Sequence, residues 1–595
     1  MPTLCQVYNP QNLTTGGLIR LTLDRQIALI VATISIFMTT NRKKASLIAT
    51  TFLIAILPAF SSAQSVNVFS TQGNASASMT VQHIISMFER RGLLDTDAKI
   101  ILALEQRLGL QNSLVDPDGT WAVDNSGVWS NSANWTGGVI ADGGGKADFS
   151  TVNITANRTV TIDTTSRTIG DMEIGDTDNS NNWNVNASGG ASLIFDNTAM
   201  SANAKLNETA GGKNVNINAP VLLNSSLDIT NGSSTNGVLT VAGNVSANTA
   251  GTKTITTSTG SVVISGIIGD GSGAVAVVQN GAGTLDLKGA NTFSGGTTLN
   301  GGTLDIRNNT ALGTGTFTIN GGTITNGSGA AIALTNNNAE TWAGDFTFGG
   351  GGGTGNLDTG SGAVTLTADR KVTAAGTVSS LTVSGVIGDG GSGFGLTKAG
   401  SGTLILAGAN TYTGQTTVSA GTLLINGNES AATGPVVVNT GGTLGGVGTI
   451  GGAVTVHAGG TINPGQGGVG TLTLSSALTF SSAGTLATYS VDLSGATSDK
   501  LVIGGPLGLS GTHDQISFNG SADGTTTYVL ATYASESGIF DTVTGLPANY
   551  TLVYGPTELD LTPIPEPGTW LAAALALAAV GYTQRKRFSG SLKRA

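Results

Sequence analysis

The chain has 595 residues, of which 90 are glycine, while charged residues make up 10% and aromatic residues 5%. This composition favours many short strands joined by tight turns and leaves little material for long helices. The formal net charge of −10 gives a surface that repels polyanions, so we exclude a nucleic-acid-binding protein.

The first 63 residues are predicted to be absent from the mature protein. Residues 38–63 are typical of a signal peptide, because a basic segment precedes a short apolar run that ends in small residues before the predicted cleavage between Ala63 and Gln64. Residues 1–37 fit poorly in front of such a signal. We therefore interpret Met38 as the true start and residues 1–37 as an over-extended leader.

Residues 64–118 carry the persuasive helical patterns of the mature chain. In "DTDAKIILALEQRLG", Asp95 is a candidate N-cap, and Ile101, Leu104 and Leu108 lie on one stripe. The preceding "TVQHIISMFERRG" predicts a second helix, giving a helical hairpin. A hairpin here would cover the open end of a stack of strands. A partner-binding or oligomerising module is the alternative interpretation.

The middle of the chain, residues 119–526, predicts an all-β, elongated, right-handed parallel β-helix. Two copies of one unit lie near 264–324 and 383–462, since "GAGTLDLKGANTFSGGTTLNGGTLDI" recurs as "GSGTLILAGANTYTGQTTVSAGTLLI". A spacing of about 18 to 21 residues suits a solenoid of stacked turns, roughly 20 of them over this region. The apolar residues of the Gly-Thr-apolar phrase are expected to face inward: Leu285, Leu304, Ile324, Leu404, Leu423, Leu444 and Ile462.

This repeated phrase resembles the autotransporter-associated β-strand repeat, which implies a secreted passenger-type solenoid. Residues 527–563 are expected to add strands that cap the coil. The chain departs from a true autotransporter in one respect. A translocator barrel needs many strands, and only a short segment follows Pro563, so we expect no such barrel.

The segment 564–595 predicts a sorting signal. An apolar run over 569–582 predicts a short membrane-spanning helix, and the basic residues after it would stay on the cytoplasmic side. The pattern resembles the PEP-CTERM sorting signal, which implies an exosortase-type membrane protease as partner and transient anchoring in the inner membrane. An ordinary tail anchor is the alternative. The motif residues are Pro565, Glu566, Pro567, Arg585, Lys586 and Arg587.

The sequence offers weak candidates for metal or ligand chemistry. Asp176, Asp178 and Ser180 alternate as calcium ligands do, and two further aspartates, Asp270 and Asp389, lie in matching Gly-Asp-Gly turns. Ordinary aspartate turns are the preferred interpretation. A tryptophan cluster near the start of the coil would either pack over the first turn or stack on sugar rings: Trp121, Trp129 and Trp135.

These patterns together predict an exported structural or adhesive protein without catalytic, cofactor or metal site. We expect it at the cell surface or in an extracellular matrix, with an exopolysaccharide as candidate partner. Two alternatives are a polysaccharide lyase or hydrolase on a parallel β-helix and a non-catalytic glycan-binding module. The enzyme requires acidic and basic residues clustered on one face of adjacent turns.

Overall fold

The computed structural model describes residues 17–21, 32–36, 117–209, 213–233, 237–349, 355–376, 379–465, 467–481, 484–565 and 567–591. The chain divides into two compact units, Met1–Asp116 and Pro117–Ala595. In the first unit, the strands Gly17–Leu21 and Ala32–Ile36 pair antiparallel. The predicted signal peptide, its Ala63-Gln64 cleavage site and the predicted helical hairpin up to residue 116 lie outside the described residues.

The second unit is a parallel β-solenoid, which confirms the predicted all-β fold class. Short strands from successive turns pair in parallel and form long stacks. Stack I contains Gly119–Thr120, Ala147–Phe149, Asp171–Ile174, Ala204–Glu208, Leu227–Asn231, Lys253–Thr257, Val275–Gln279, Thr297–Leu299, Phe317–Ile319, Glu340–Trp342, Val364–Leu366 and Ile387–Gly388. Stack III contains Arg167–Ile169, Leu193–Phe195, Val221–Leu223, Val245–Ala247 and Ile268–Gly271.

Stack II follows the solenoid along most of its length. It contains Gly127–Val128, Arg158–Ile162, Trp183–Ala187, Asn214–Ile217, Val238–Val241, Ser261–Ile264, Thr284–Leu287, Thr303–Ile306, Thr323–Thr325, Phe346–Phe348, Arg370–Ala374, Leu396–Ala399, Thr416–Val418, Val436–Val438, Val454–His457, Leu478–Ser481, Pro506–Gly508 and Ser535–Ser537.

Two further stacks complete the later turns. Stack IV contains Ile332–Ala333, Leu357–Asp358, Ser380–Val383, Thr403–Leu406, Gly421–Ile425, Gly442–Gly446, Thr461–Pro464, Ala487–Gly495, Asp514–Ala522 and Thr542–Thr544, with Thr497–Ser498 paired antiparallel to Ala487–Gly495. Stack V contains Asn428–Glu429, Thr449–Ile450, Thr471–Leu474, Lys500–Ile503, Tyr528–Thr532, Tyr550–Tyr554 and Glu558–Pro563. The described residues also form short 3-10 helices over Ser132–Asn134, Thr136–Gly138 and Thr198–Met200.

The solenoid has about 17 turns, fewer than the roughly 20 expected for repeats of this kind. The length of one turn varies, and the stacked asparagines measure it. Asn300 and Asn320, in the repeats, are 20 residues apart, whereas Asn184 and Asn216, near the start, are 32 apart. The short repeat spacing therefore does not hold for the whole region, because the early turns are longer.

The inward residues of the repeats are confirmed. Leu285, Leu304 and Ile324 pair in register within stack II, and all three are buried. In the second copy, Leu404 and Leu423 are buried in the same way, but they pair within stack IV. The two copies therefore occupy different faces of the solenoid. The sequence of a repeat does not determine which face of the solenoid it occupies, because that face depends on how many strands precede the repeat.

The Gly-Thr phrase has a backbone cause. Gly302 and Gly421 precede the repeated threonines and adopt positive φ angles of 65° and 64°. A Cβ atom at Gly302 would lie 2.2 Å from the carbonyl oxygen of Gly281 in the preceding turn, and one at Gly421 would lie 2.4 Å from that of Gly400. Glycine is therefore required both for the turn conformation and for the close stacking of the corners.

The solenoid ends in a short antiparallel sheet. Parallel pairing continues to Thr542–Thr544 in stack IV. In stack V, Glu558–Pro563 pairs antiparallel with Tyr528–Thr532 on one side and Tyr550–Tyr554 on the other. The last element that the structure describes is an α-helix, α1, over Pro567–Ser591.

Candidate functional site

The predicted tryptophan cluster closes the start of the solenoid. Trp121, Trp129 and Trp135 are 0–2% exposed, and neighbouring ring centroids lie 5.3 Å apart. Phe149 connects the cluster to Trp183 of the next turn, with 5.7 Å between those two rings. Their indole N–H groups donate to backbone carbonyl oxygens. Because the rings are buried, they offer no flat face to a sugar, and the packing interpretation of the cluster applies.

A polar groove on the outer face of stack I is the candidate binding site. It has a volume of about 670 Å³. Alternate residues of three successive strands, Asp171–Ile174, Ala204–Glu208 and Leu227–Asn231, point into it, because side chains alternate between the two faces of a strand. The lining residues are Asp171, Met172, Glu173, Asn203, Lys205, Asn207, Asp228, Thr230, Thr256, Ser258 and Asn280.

The charges of the groove alternate along the solenoid axis. Lys205 lies in register between Asp171 of the preceding turn and Asp228 of the following one. The two carboxylates accept hydrogen bonds from side-chain amides, Asp171 from Asn197 at 2.9 Å and Asp228 from Asn203 at 3.0 Å. Among the described residues, the exposed Lys205 ammonium has no hydrogen-bond or ion-pair partner. The groove thus presents a free cation between two positioned carboxylates.

An ion-pair cluster borders the groove. Lys146 Nζ lies 2.6 Å from Glu173 Oε2 and 3.2 Å from Asp148 Oδ2. Burial disfavours the charge on Lys146, but these two carboxylates outweigh that effect and raise its pKa. Within the lining, Thr230 donates to the Asn207 side-chain oxygen at 2.6 Å. The border is therefore held in place by contacts between successive turns.

The outward-facing charged residues of stack I are confined to its early turns, whereas Glu340, in a later strand, is buried in the interior. Beyond Thr256, the outward positions of the stack carry small or hydroxyl side chains, and the strands still pair in the same parallel register. The fold therefore does not need charges at these positions. The later outward residues are Ala276, Val278, Thr298, Thr318, Thr341 and Thr365.

The interior contains polar side chains that the sequence analysis missed. Gln279 Nε2 donates to the carbonyl oxygens of Gly281 and Gly283, which lie at the corner of the turn. At the equivalent position of the second copy, the buried Lys398 donates to three corner carbonyl oxygens, and burial lowers its pKa to about 8. The signal was available, because Gln279 and Lys398 occupy the same place in the two repeat copies. These residues stabilise corners and do not form a site.

The aspartate turns use their carboxylates within the chain. Asp176 accepts backbone N–H groups from Ile154, Ser180 and Asn181. Asp389 accepts from several backbone N–H groups of its own turn and from Thr413, and these bonds outweigh burial and lower its pKa. In the described part of the chain, no three acidic, histidine or cysteine side chains are arranged to hold a metal ion.

The predicted sorting residues lie at and after the end of the strands. Pro565 is exposed, and Pro567 is the first residue of α1, where proline is well tolerated. The helix is longer than the predicted 569–582 segment. The side chains of Arg585 and Lys586 are exposed on it, whereas Glu566 and the Arg587 side chain lie outside the described residues. None of the helices that the structure describes has an apolar stretch sufficient for a membrane span.

Comparison with known proteins identifies the repeats. Residues 277–306 and 396–425 match the Passenger-associated-transport-repeat family. The chain is 49% identical over 90 residues to the Adhesin BmaC autotransporter of Brucella suis biovar 1 (strain 1330), which is 15% of this chain and 2% of that protein. It is 45% identical over 78 residues to the Extracellular serine protease of Serratia marcescens, which is 13% of this chain and 7% of that protein.

The chain therefore spans only a small part of the length of these relatives. The two matched segments are the copies whose strands stack in the solenoid, one in stacks I and II and the other in stacks II and IV. This chain thus carries two passenger-associated transport repeats within a larger parallel β-solenoid.

Proposed function

We propose that the protein is exported and acts at the cell surface or in an exopolysaccharide matrix as an adhesive or structural β-solenoid. The observation that carries the proposal is the pair of passenger-associated transport repeats at 277–306 and 396–425. Parts of the chain are similar to parts of a protein named as an autotransporter adhesin and of one named as an extracellular serine protease. Export is the property that both names share.

An adhesive role without catalysis is supported better than cleavage. Polysaccharide-cleaving enzymes need an acid and a base that exchange protons with the substrate. The groove does cluster acidic and basic residues on one face of adjacent turns, as the enzyme alternative requires. Its carboxylates Asp171 and Asp228, however, are bound by amides, and Glu173 by Lys146. Such contacts position a recognition surface.

The tail residues support a further step in the proposal, which is sorting by an exosortase-type membrane protease. Pro565 is exposed immediately before α1, and Pro567 at the first helical position starts the helix there. A protease needs an extended, accessible peptide. In this proposal the enzyme cuts near Pro567. Until it does, the apolar run over 569–582 anchors the precursor in the inner membrane, with Arg585 to Arg587 on the cytoplasmic side.

The intact mass of the surface-extracted protein tests the sorting step in the native host. We expect a mature species that lacks the segment from about Gly568 onward. Replacing Pro565-Glu566-Pro567 by three alanines should leave full-length protein in the inner membrane, because alanine lets the helix extend through the cleavage site. Pro547→Ala, upstream in a loop, is the matched control and should be processed like the parent. A parent species that still carries Arg585 to Arg587 would contradict sorting and favour a tail anchor.

A further inference from the structure

We propose that the groove on stack I binds a polysaccharide strand that carries no acidic groups. The proposal rests on the proposed function, since it names the ligand class for a protein at the surface or in a matrix. The groove is the part of stack I where outward positions carry charged side chains, whereas the later turns have uncharged ones. Asp171, Lys205 and Asp228 occupy outward positions that threonine and valine fill in the later turns of the same register row.

The chemistry of the lining suits a polyhydroxylated ligand. Carboxylates accept two or more hydrogen bonds each, so Asp171 and Asp228 keep acceptor capacity after binding one amide. Sugar hydroxyls donate to such acceptors, and charge-assisted hydrogen bonds are the stronger ones. The free ammonium of Lys205 supplies three donors for hydroxyl or ring oxygens. Charged hydrogen-bond acceptors and a charged hydrogen-bond donor therefore point into the same groove.

The geometry favours an extended polymer over a small molecule. The lining comes from successive turns spaced ~4.8 Å apart along the axis. Asp171, Lys205 and Asp228 form one row, and Glu173, Asn207 and Thr230 form a second, parallel row. A polysaccharide lying along the axis would contact one residue of each row per turn. The regular spacing of these residues therefore matches a ligand built from repeating sugar units.

The charge of the lining selects against acidic polymers. Among the lining residues, Asp171, Glu173 and Asp228 are acidic, and Lys205 is the basic one. This excess of negative charge repels uronate or sulfated polysaccharides and is compatible with neutral or amino sugars. The tryptophans of this end of the solenoid are buried, so binding depends on the polar contacts.

Binding of matched oligosaccharides to the purified full chain tests the proposal by calorimetry. The probes are cellohexaose as neutral, a chitosan hexamer as amino-bearing and hexagalacturonate as acidic ligand. We expect binding of at least one of the first two and none of the third. Binding of hexagalacturonate alone, or the absence of binding with all three probes, would overturn the proposal. Because purified protein is used, the result is independent of where the protein resides in the cell.

Variants locate the binding. Asp171→Asn combined with Asp228→Asn should weaken binding at least tenfold, since it removes both charged acceptors and keeps the amide contacts. Lys205→Ala should weaken it to a smaller extent. Both changes lie on outward positions, so circular dichroism should match the parent. Glu558→Gln, an exposed residue at the other end of the solenoid, is the control and should bind like the parent. Unchanged binding in the double variant would place the ligand elsewhere and refute the proposal.

Discussion

Replacing Glu429 by glutamine should change how the stability of the solenoid depends on pH. The Glu429 side chain is 4% exposed in the interior, where its Oε1 accepts a hydrogen bond from Asn410 Nδ2 at 2.5 Å. Burial raises its pKa from 4.5 to about 8, although the bond from Asn410 acts in the opposite direction. Glutamine has the same shape and an oxygen acceptor for Asn410, but it has no proton to lose.

The magnitude follows from the linkage between proton binding and folding. Below pH 4.5 the carboxyl is protonated in both the folded and unfolded states and contributes no difference. Between pH 4.5 and about 8 the folded state keeps a proton that the unfolded state releases. Its contribution to the free energy of unfolding therefore falls by about 1.4 kcal/mol per pH unit. Between pH 5 and pH 7.5 the loss amounts to about 3 kcal/mol, which Glu429→Gln should abolish.

Urea unfolding followed by circular dichroism at several pH values measures this effect. The difference in unfolding free energy between Glu429→Gln and the parent should grow in favour of glutamine as the pH rises from 5 to 7.5. Glu558→Gln, on an exposed side chain, serves as control and should follow the parent at each pH. Parallel profiles for Glu429→Gln and the parent would refute the reasoning, because Glu429 would then ionise as freely in the folded state as in the unfolded one.

Two further predictions concern the repeat core. Leu404→Asp should lower the free energy of unfolding by about 3 kcal/mol or more, because it buries an unpaired carboxylate. Ile405→Asp, outward on the same strand, should change the free energy of unfolding by about 1 kcal/mol or less. Equal urea midpoints for the two variants would contradict the inward assignment of Leu404. Lys398→Gln should fold with near-parental stability, since Gln279 plays the same part in the first copy. Lys398→Met should cost about 2 kcal/mol by leaving three carbonyls without a donor, and equal stability of the two variants would refute that role.

The repeat region could be predicted from the sequence because its period is short and regular. The Gly-Thr-apolar phrase fixes both the turn, through residues such as Gly302, and the inward side chain, through Leu304. Consecutive phrases are one turn apart, so their stacking followed directly from their spacing. The sequence does not predict which stack each copy joins, because the loops between the copies decide how many strands intervene.

The groove could not be predicted because it depends on register between long, unequal turns. Asp171, Lys205 and Asp228 each lie in an alternating strand pattern, but no repeated phrase aligns one with the next. Only strand pairing places them in one row. Interior polar residues were missed for another reason. A period-two pattern predicts apolar inward positions, and the need to satisfy corner carbonyls, which selects Gln279 and Lys398, lies outside that rule.

Proteolytic shaving of intact cells of the native host tests the central claim most directly. Proteinase K applied to unbroken cells should release peptides from the solenoid, residues 119–563, while a cytoplasmic marker protein stays intact. This result would place the solenoid outside the cell, as a surface or matrix protein requires. Release of solenoid peptides only after the cells are lysed would contradict the account.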